Sequence, residues 1–108
     1  MKQSIIYILT NKNKTTLYIG VTNNLQRRLL EHKKGIGSKF TKRYNVYYLV
    51  YFEKFEDSTL VISREKQLKK WSRMKKEKLI ERVNPEWIFF DDSGIPPSLS
   101  KVEVTETK

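Results

Sequence analysis

The first third of the sequence contains two apolar runs that a short polar stretch separates. The runs cover residues 5–9 and 17–21, and the polar sequence Asn-Lys-Asn-Lys lies between them. Strand-forming residues on both sides of a polar turn predict a β-hairpin, with strands over 4–10 and 16–21. Gly20 falls where the second strand ends and the chain must turn, a position that often tolerates only a residue without a Cβ.

The residues after this turn have helical periodicity. Thr22 or Asn23 can cap the helix by accepting a hydrogen bond from an unpaired backbone N–H, and two glycines that follow favour its end. A helix over 23–34 places Leu25 and Leu29 on one inward stripe at 100° per residue.

Two side chains capable of chemistry lie at the edge of this stripe. Arg28 and His32 are one helical turn apart, whereas Arg27 points to the opposite side, toward water. The hairpin contributes Tyr7 and Tyr18 to the same region. Helix geometry therefore favours Arg28 over Arg27 as a site residue that reaches across the strands.

The remainder of the body is predicted to contain one strand and two helices. Residues 46–55 form a long β-prone run, residues 58–71 have helical periodicity, and residues 72–82 form a short basic helix that begins with a capping serine. The sequence thus predicts an α/β (α+β) fold, in which a small three-stranded antiparallel sheet is flanked by helices.

Length and charge divide the chain into two parts. Its 108 residues suffice for one domain with a modest core. Residues 1–82 hold 20 basic and 7 acidic residues, a net charge of +13, whereas residues 83–108 hold 2 and 5, a net charge of −3. We expect residues 1–88 to form the domain, closed by Trp87 packing back on it, and residues 89–108 to be a flexible acidic and polar tail.

The net charge of +10 indicates a polyanionic partner. Nucleic acid is the simplest such partner for a small basic domain, and an ordinary solvated surface is the alternative. The cations predicted to contact phosphates are Lys39, Lys42, Arg43, Lys69, Lys70 and Arg73. Residues 38–44 are predicted to form a loop in which Phe40 or Tyr44 either stacks on a base or anchors the loop to the core.

One carboxylate is distinguished by its position in the predicted helix over 58–71. Glu65 lies on the side of the helix that carries the apolar residues Val61, Ile62 and Leu68. An acid on an apolar face costs free energy unless it is paired or binds a metal. A structural salt bridge with a nearby lysine or arginine is therefore the alternative to a metal site.

Several classes of protein are excluded or disfavoured by composition. Cysteine is absent and histidine occurs once, which excludes disulfides, thiolate zinc sites and His-rich zinc sites. The longest apolar runs are far shorter than the ~20 residues that span a membrane, and the N-terminus lacks a signal-peptide pattern. We therefore expect a cytoplasmic protein without membrane association.

The motifs above resemble those of the GIY-YIG nuclease superfamily. Ile6-Tyr7 corresponds to the first half of the family's motif and Tyr18-Ile19-Gly20 to the second. Arg28 and His32 fall where the family's helix carries its arginine and histidine, and residues 64–71 are similar to the segment with the metal-binding glutamate. The resemblance covers roughly residues 3–87. It is greatest to small single-domain (URI-type) members, which are similar to the nuclease module at the N-terminus of a DNA-repair excinuclease.

This sequence departs from the family's pattern at one motif position and matches it poorly at another. Ile5 replaces the glycine of the first half-motif. We expect the replacement to be harmless, because that glycine shapes the backbone at a strand start. Some members carry a late asparagine, for which Asn84 is the only downstream candidate here and a poor match.

The resemblance implies a role for each of five site residues. Tyr18 would take the proton of the attacking water or position that water, with Tyr7 beside it and His32 relaying the proton or orienting Tyr18. Arg28 would stabilise the phosphoryl oxygens. Glu65 would be the protein ligand of a single Mg²⁺ or Mn²⁺, because a hard cation beside phosphate needs only one or two carboxylates.

Together these features predict a metal-dependent DNA endonuclease that recognises DNA structure rather than sequence, in repair or recombination. RNA is not excluded as a substrate. Two alternatives stay open: a nucleic-acid-binding module on the same fold with little or no catalysis, and an interaction domain whose positive face docks an acidic protein.

Overall fold

Three antiparallel strands and four helices make up the part of the chain that the computed structural model describes, residues 3–90. In chain order they are β1 (Ser4–Thr10), β2 (Leu17–Thr22), α1 (Leu25–Lys33), α2 (Lys39–Tyr44), β3 (Tyr48–Phe55), α3 (Ser58–Lys70) and α4 (Arg73–Val83). The strand order is β2-β1-β3, and both strand pairs are antiparallel. The predicted fold class is confirmed.

The central strand β1 has an uninterrupted apolar run because both of its faces are covered. Ile5, Tyr7 and Leu9 pack on the side of the sheet that α1 covers, and Ile6 and Ile8 pack on the side that α3 and α4 cover. We call the side that α1 covers the α1 face, and the side that α3 and α4 cover the α3 face. Successive side chains of a strand point to opposite faces, so a strand buried on both sides has no polar alternation.

The helices bury the apolar stripes that their sequences predict, with one exception. Leu25 and Leu29 of α1 are buried in the core of the α1 face, and Val61 and Leu68 of α3 are buried in that of the α3 face. Burying such a side chain fully contributes about 1.5–3 kcal/mol. Ile62, which was predicted to share the stripe of α3, is instead 53% exposed.

The start of α1 differs by one residue from the prediction. Asn24, rather than Thr22 or Asn23, caps the helix, because its side chain accepts a hydrogen bond from the backbone N–H of Arg27 at 3.0 Å. The Thr22 hydroxyl instead accepts a hydrogen bond from the N–H of Asn24. Thr22 thus supports the capping residue from the preceding strand.

The predicted loop over 38–44 is a short helix, α2. Ser38 caps it by accepting a hydrogen bond from the N–H of Thr41 at 3.0 Å. Asn45 ends it in the left-handed conformation, with φ 56°. A capping serine and a left-handed asparagine are ordinary helix start and stop signals, but their spacing here permits less than two turns.

The body extends slightly beyond the predicted boundary at residue 88. Phe90 is buried and its N–H donates to the Leu49 carbonyl at 2.9 Å, and Phe89 stacks on Tyr48. Both phenylalanines were assigned to the tail, yet they supply apolar surface to the sheet. Trp87 is half-buried against the α3 face. The rest of the predicted tail, residues 91–108, lies outside the described residues.

Within residues 3–90, no helix combines the length and apolar character needed to cross a membrane.

Asn84 fastens this C-terminal segment to the sheet. Its side-chain amide donates to the carbonyls of Val50 and Ile88 at 2.9 and 3.0 Å, and its Oδ1 accepts from the N–H of Ile88 at 2.9 Å. The side chain is buried, and both of its polar atoms are used within the fold. The structure therefore gives Asn84 an architectural position.

We expect Asn84→Ala to lower the free energy of unfolding by about 2–3 kcal/mol, because it leaves buried backbone groups without partners. Urea unfolding measures this change. Asn23→Ala is the matched control, since Asn23 is exposed and we expect a change of about 0.5 kcal/mol or less. Equal losses in the two variants would contradict the architectural role of Asn84.

Candidate active site

Tyr7 occupies the middle of β1, opposite Gly20 of β2. Its ring lies across Gly20, so that a Cβ at position 20 would overlap the Cζ and Oη atoms of Tyr7. The absence of a side chain at Gly20 therefore lets the Tyr7 hydroxyl pass over β2 and reach α1.

The Tyr7 hydroxyl is hydrogen-bonded to two residues of α1. Arg28 Nε donates to Tyr7 Oη at 3.3 Å, and Tyr7 Oη lies 2.9 Å from His32 Nε2. Since the hydroxyl accepts from the arginine, its own proton points to Nε2. His32 must then carry its proton on Nδ1, which lies 2.9 Å from the Thr41 hydroxyl oxygen. The Thr41 hydroxyl in turn donates to the Ser38 carbonyl at 3.3 Å.

Burial sets the protonation states of this pair. Burial, aided by the positive charge of Arg28, lowers the pKa of His32 to about 4, although the negative charge of Glu31 partly opposes the shift. Burial likewise raises the pKa of Tyr7, against the opposing effect of the hydrogen bond from Arg28. At neutral pH the site therefore holds a neutral imidazole and a protonated phenol.

All three donor groups of the Arg28 guanidinium have partners within the protein. In addition to Tyr7, they bond a carboxylate oxygen of Glu31 and the Gly37 carbonyl, each at 2.9 Å. The hydrogen bond to Tyr7 is the main cause that raises the pKa of Arg28 further above its usual value. The neighbouring Arg27 has a side chain that is 57% exposed, consistent with the predicted geometry of the helix.

Tyr18 contributes a ring to the site. Its centroid lies 6.3 Å from that of Tyr7 and 5.5 Å from that of His32. The resemblance implied that His32 relays a proton or orients Tyr18, but the imidazole is hydrogen-bonded to Tyr7 instead. The strand register accounts for this, because Tyr7 pairs with Gly20 and crosses it, whereas Tyr18 pairs with Leu9.

Two residues that complete this arrangement were not recognised in the sequence. Thr41 is fully buried and holds His32 Nδ1, and Gly37 packs so closely on the imidazole that a Cβ there would overlap it. A threonine within a basic, aromatic stretch gives no signal of burial. The glycine indicated only the end of α1, so neither role was accessible from sequence.

Glu65 belongs to α3, the helix that covers one side of the sheet, whereas the Tyr7 hydroxyl lies on the opposite side, the α1 face. Arg64 and Glu65 project about 100° apart and so flank the buried stripe of α3 on opposite sides. Arg64 bonds both carboxylate oxygens of Glu53 on β3. Glu65 therefore lies on the flank toward β2, the edge strand that carries Tyr18.

The chemistry of Glu65 permits one metal contact. Its side chain is 27% exposed and pairs with Lys69, one turn along the helix, at 2.9 Å. Exposed ion pairs of this kind contribute only a few tenths of a kcal/mol, so a cation can replace the lysine at little cost. Among residues 3–90, no group of three or more histidines, cysteines or acids is placed to hold a metal. Glu65 thus fits Mg²⁺ or Mn²⁺ as one carboxylate ligand, with water and phosphate as the others.

The cations predicted to contact phosphate fall into different environments. Lys39, Lys42 and Arg43 lie exposed on α2, and Lys70 is exposed at the end of α3. Arg73 differs, because its guanidinium donates to Glu77 and to the backbone carbonyls of residues 14 and 15. It holds the β1–β2 turn against α4 rather than presenting free donors to solvent.

Comparison with known proteins agrees with this fold and identifies the family. Residues 3–78 match the model of the GIY-YIG catalytic domain. The chain therefore belongs to the GIY-YIG family, whose members are nucleases that generally use divalent metals. The resemblance noted in the sequence is confirmed.

Within this family the chain is similar to the UPF0213 proteins. It is 44% identical over 75 residues to one from Clostridium perfringens, covering 69% of this chain and 80% of the relative. It is 42% identical over 87 residues to one from Syntrophus aciditrophicus, covering 80% of this chain and 98% of the relative. The solution NMR structure of the UPF0213 protein BH0048 from Bacillus halodurans matches with a TM-score of 0.52 and 29% identity, covering 79% of this chain and 89% of that one.

The depressed pKa of His32 predicts a pH-dependent loss of stability. The unfolded state binds a proton near pH 6.5 and the folded state near pH 4, so the stabilisation is complete above 6.5 and is lost as the pH falls through this window. The loss amounts to about 3 kcal/mol. Urea unfolding at several pH values, compared with His32→Gln, isolates it. Identical pH dependence in the two proteins would contradict the assignment.

The hydrogen bond from His32 predicts the effect of substitutions at Thr41. Thr41→Val keeps the shape but removes the acceptor for Nδ1–H, so we expect the imidazole to lose its single tautomer and stability to fall by about 1–3 kcal/mol. Ring ¹⁵N chemical shifts report the tautomer, and Thr41→Ser should retain it. A valine variant with an unchanged Nδ1–H tautomer would show that Thr41 does not determine it.

Proposed function

We propose that this protein is a metal-dependent endonuclease that hydrolyses phosphodiester bonds in DNA, acting on DNA structure in repair or recombination. The observation that carries the proposal is a single hydroxyl, that of Tyr7, held between a permanent cation and a neutral imidazole. A module that only binds nucleic acid has no need of such an arrangement. The small size of the body supports structure-directed recognition, because little surface is left for reading bases.

Tyr7 is the residue we assign to deprotonation of the attacking water. Its raised pKa makes a free phenolate scarce at neutral pH, so it must lose its own proton as it gains one from water. His32 Nε2, 2.9 Å away, accepts that proton. The water oxygen bonds to phosphorus while the P–O bond to the leaving sugar oxygen breaks, and that oxygen leaves as an alkoxide that takes a proton from solvent. An incoming phosphate favours the imidazolium because its negative charge raises the pKa of a nearby histidine.

Arg28 is the residue we assign to the phosphoryl oxygens. Its planar donors match phosphate in pairs, but two of its donor groups now bond Glu31 and Gly37. Substrate must therefore replace at least one of these contacts. A positioned donor of this kind commonly contributes about 3–4 kcal/mol to transition-state stabilisation.

Glu65 is the proposed protein ligand for Mg²⁺ or Mn²⁺. When bound, the metal supplies positive charge that stabilises the phosphoryl and leaving oxygens. The position of Glu65 on the β2 side of α3 supports this role. The proposed phosphate-contacting residues are Lys39, Lys42, Arg43, Lys69 and Lys70. We leave out Arg73, because its guanidinium bonds two backbone carbonyls that hold the β1–β2 turn against α4.

Cleavage of end-labelled duplex, nicked, flap and branched DNA, with Mg²⁺ or with EDTA, tests the proposal. We expect metal-dependent cuts that Tyr7→Phe, Arg28→Ala and Glu65→Gln each slow by about 100-fold or more. Arg27→Ala and Glu77→Gln are matched controls, since they remove similar charges from exposed ion pairs, and we expect them to cut at near-native rates.

Two outcomes separate the alternatives. A chain that binds these DNAs but cuts none of them with either metal would be a binding module on the nuclease fold. A chain whose DNA binding is weak and insensitive to salt would point to an acidic protein partner, because phosphate contacts weaken steeply as salt is added.

A further inference from the structure

A series of aromatic rings leads from the Tyr7–His32 pair to the surface. Tyr18 lies edge-on to His32, Phe40 stacks on Tyr18 with centroids 6.0 Å apart and planes 23° apart, and Tyr44 lies 4.9 Å from Phe40. Phe40 and Tyr44 are four residues apart on α2 and therefore share one side of it. We call these two rings the α2 platform.

The α2 platform is exposed to solvent. Phe40 is 41% exposed and Tyr44 is 46% exposed, although Thr41 between them is fully buried. Thr41 already anchors the helix to His32, so the rings are not needed to fix it in place. Exposed neighbouring aromatics on a basic surface are typical of sites that stack nucleic-acid bases.

The charges around the α2 platform favour a polyanion as the group that binds these rings. They argue against an apolar or acidic surface of the protein itself in that place. The six residues of α2 include Lys39, Lys42 and Arg43 and no acid. The Arg43 guanidinium carbon lies 5.5 Å from the Tyr44 ring centroid. Cations alternating with aromatic rings provide contacts for both the phosphates and the bases of one strand.

We propose that the α2 platform stacks an unpaired base of the DNA strand whose phosphate lies at Tyr7 and Arg28. This inference rests on the proposed nuclease function and names its substrate class. In a duplex both faces of each internal base are covered by neighbouring base pairs, so only an unpaired or terminal base offers a free face. The substrate is therefore DNA with an unpaired nucleotide beside the cut, such as a flap, a gap or a single strand.

Equilibrium binding in EDTA, where no cut is expected, tests the platform. The probes are a single strand that carries one 2-aminopurine and the fully paired duplex of the same sequence. We expect binding to quench the fluorescence of the single strand. Tyr44→Leu should weaken single-strand binding roughly 5- to 100-fold and remove most of the quenching, while leaving duplex binding and the salt dependence unchanged.

Lys42→Gln is the matched control on the same helix. This substitution removes a phosphate contact and leaves both rings in place. It should therefore weaken the binding of both probes equally and reduce the slope of log affinity against log salt concentration by about 1. Phe40→Leu should behave as Tyr44→Leu does. Phe40 supports Tyr18. If Phe40→Leu is unfolded for that reason, the binding measured with Tyr44→Leu tests the platform by itself.

The platform proposal is overturned if Tyr44→Leu binds and quenches the single strand as the native chain does. It is also overturned if this substitution weakens duplex binding as much as single-strand binding. Cleavage is measured separately, so the two proposals fail separately. A native chain that quenches the single strand through Tyr44 but cuts no DNA retains the platform and loses the nuclease function. A chain whose cleavage of DNA requires Tyr7, but whose single-strand binding is unchanged in Tyr44→Leu, retains the nuclease function and loses the platform.

Discussion

The hydrogen bond between Tyr7 and His32 joins the central strand to the first helix, and much of the surrounding structure serves to keep it buried. Two glycines, Gly20 and Gly37, clear the space that the phenol and the imidazole occupy. Burial then requires that each polar atom find a partner, since an unpaired one costs about 1–3 kcal/mol. Arg28 and Thr41 supply those partners at the two ends of the pair.

This requirement explains why α2 matters beyond its short length. Thr41 accepts the hydrogen bond from His32 Nδ1–H, and Nε2 faces Tyr7. The same few residues turn Phe40 and Tyr44 outward, beside cations that suit a phosphate backbone. One turn of helix thus connects the tautomer of the buried imidazole to the surface where substrate is proposed to bind.

The two-sided sheet divides the proposed chemistry between two layers. The hydroxyl, the arginine and the imidazole lie on the α1 face, while Glu65 approaches from α3 on the other face. The edge strand β2 lies between these layers and carries Tyr18. The proposed metal ligand and the proposed proton-transfer groups therefore lie on separate elements of the fold.

The sequence by itself determined the order of the strands and of α1, α3 and α4, the sheet built on an apolar run at 5–9, and the orientation of Arg28 rather than Arg27 toward the strands. These follow from local periodicity and from composition, which act along the chain. Tertiary structure alone decided that His32 bonds Tyr7 rather than Tyr18, that Thr41 is buried and that Arg73 is engaged. Each of these depends on which groups meet across strands and helices, because a hydrogen bond requires its two atoms to lie within a few tenths of an ångström of about 2.9 Å, and no local pattern encodes that distance.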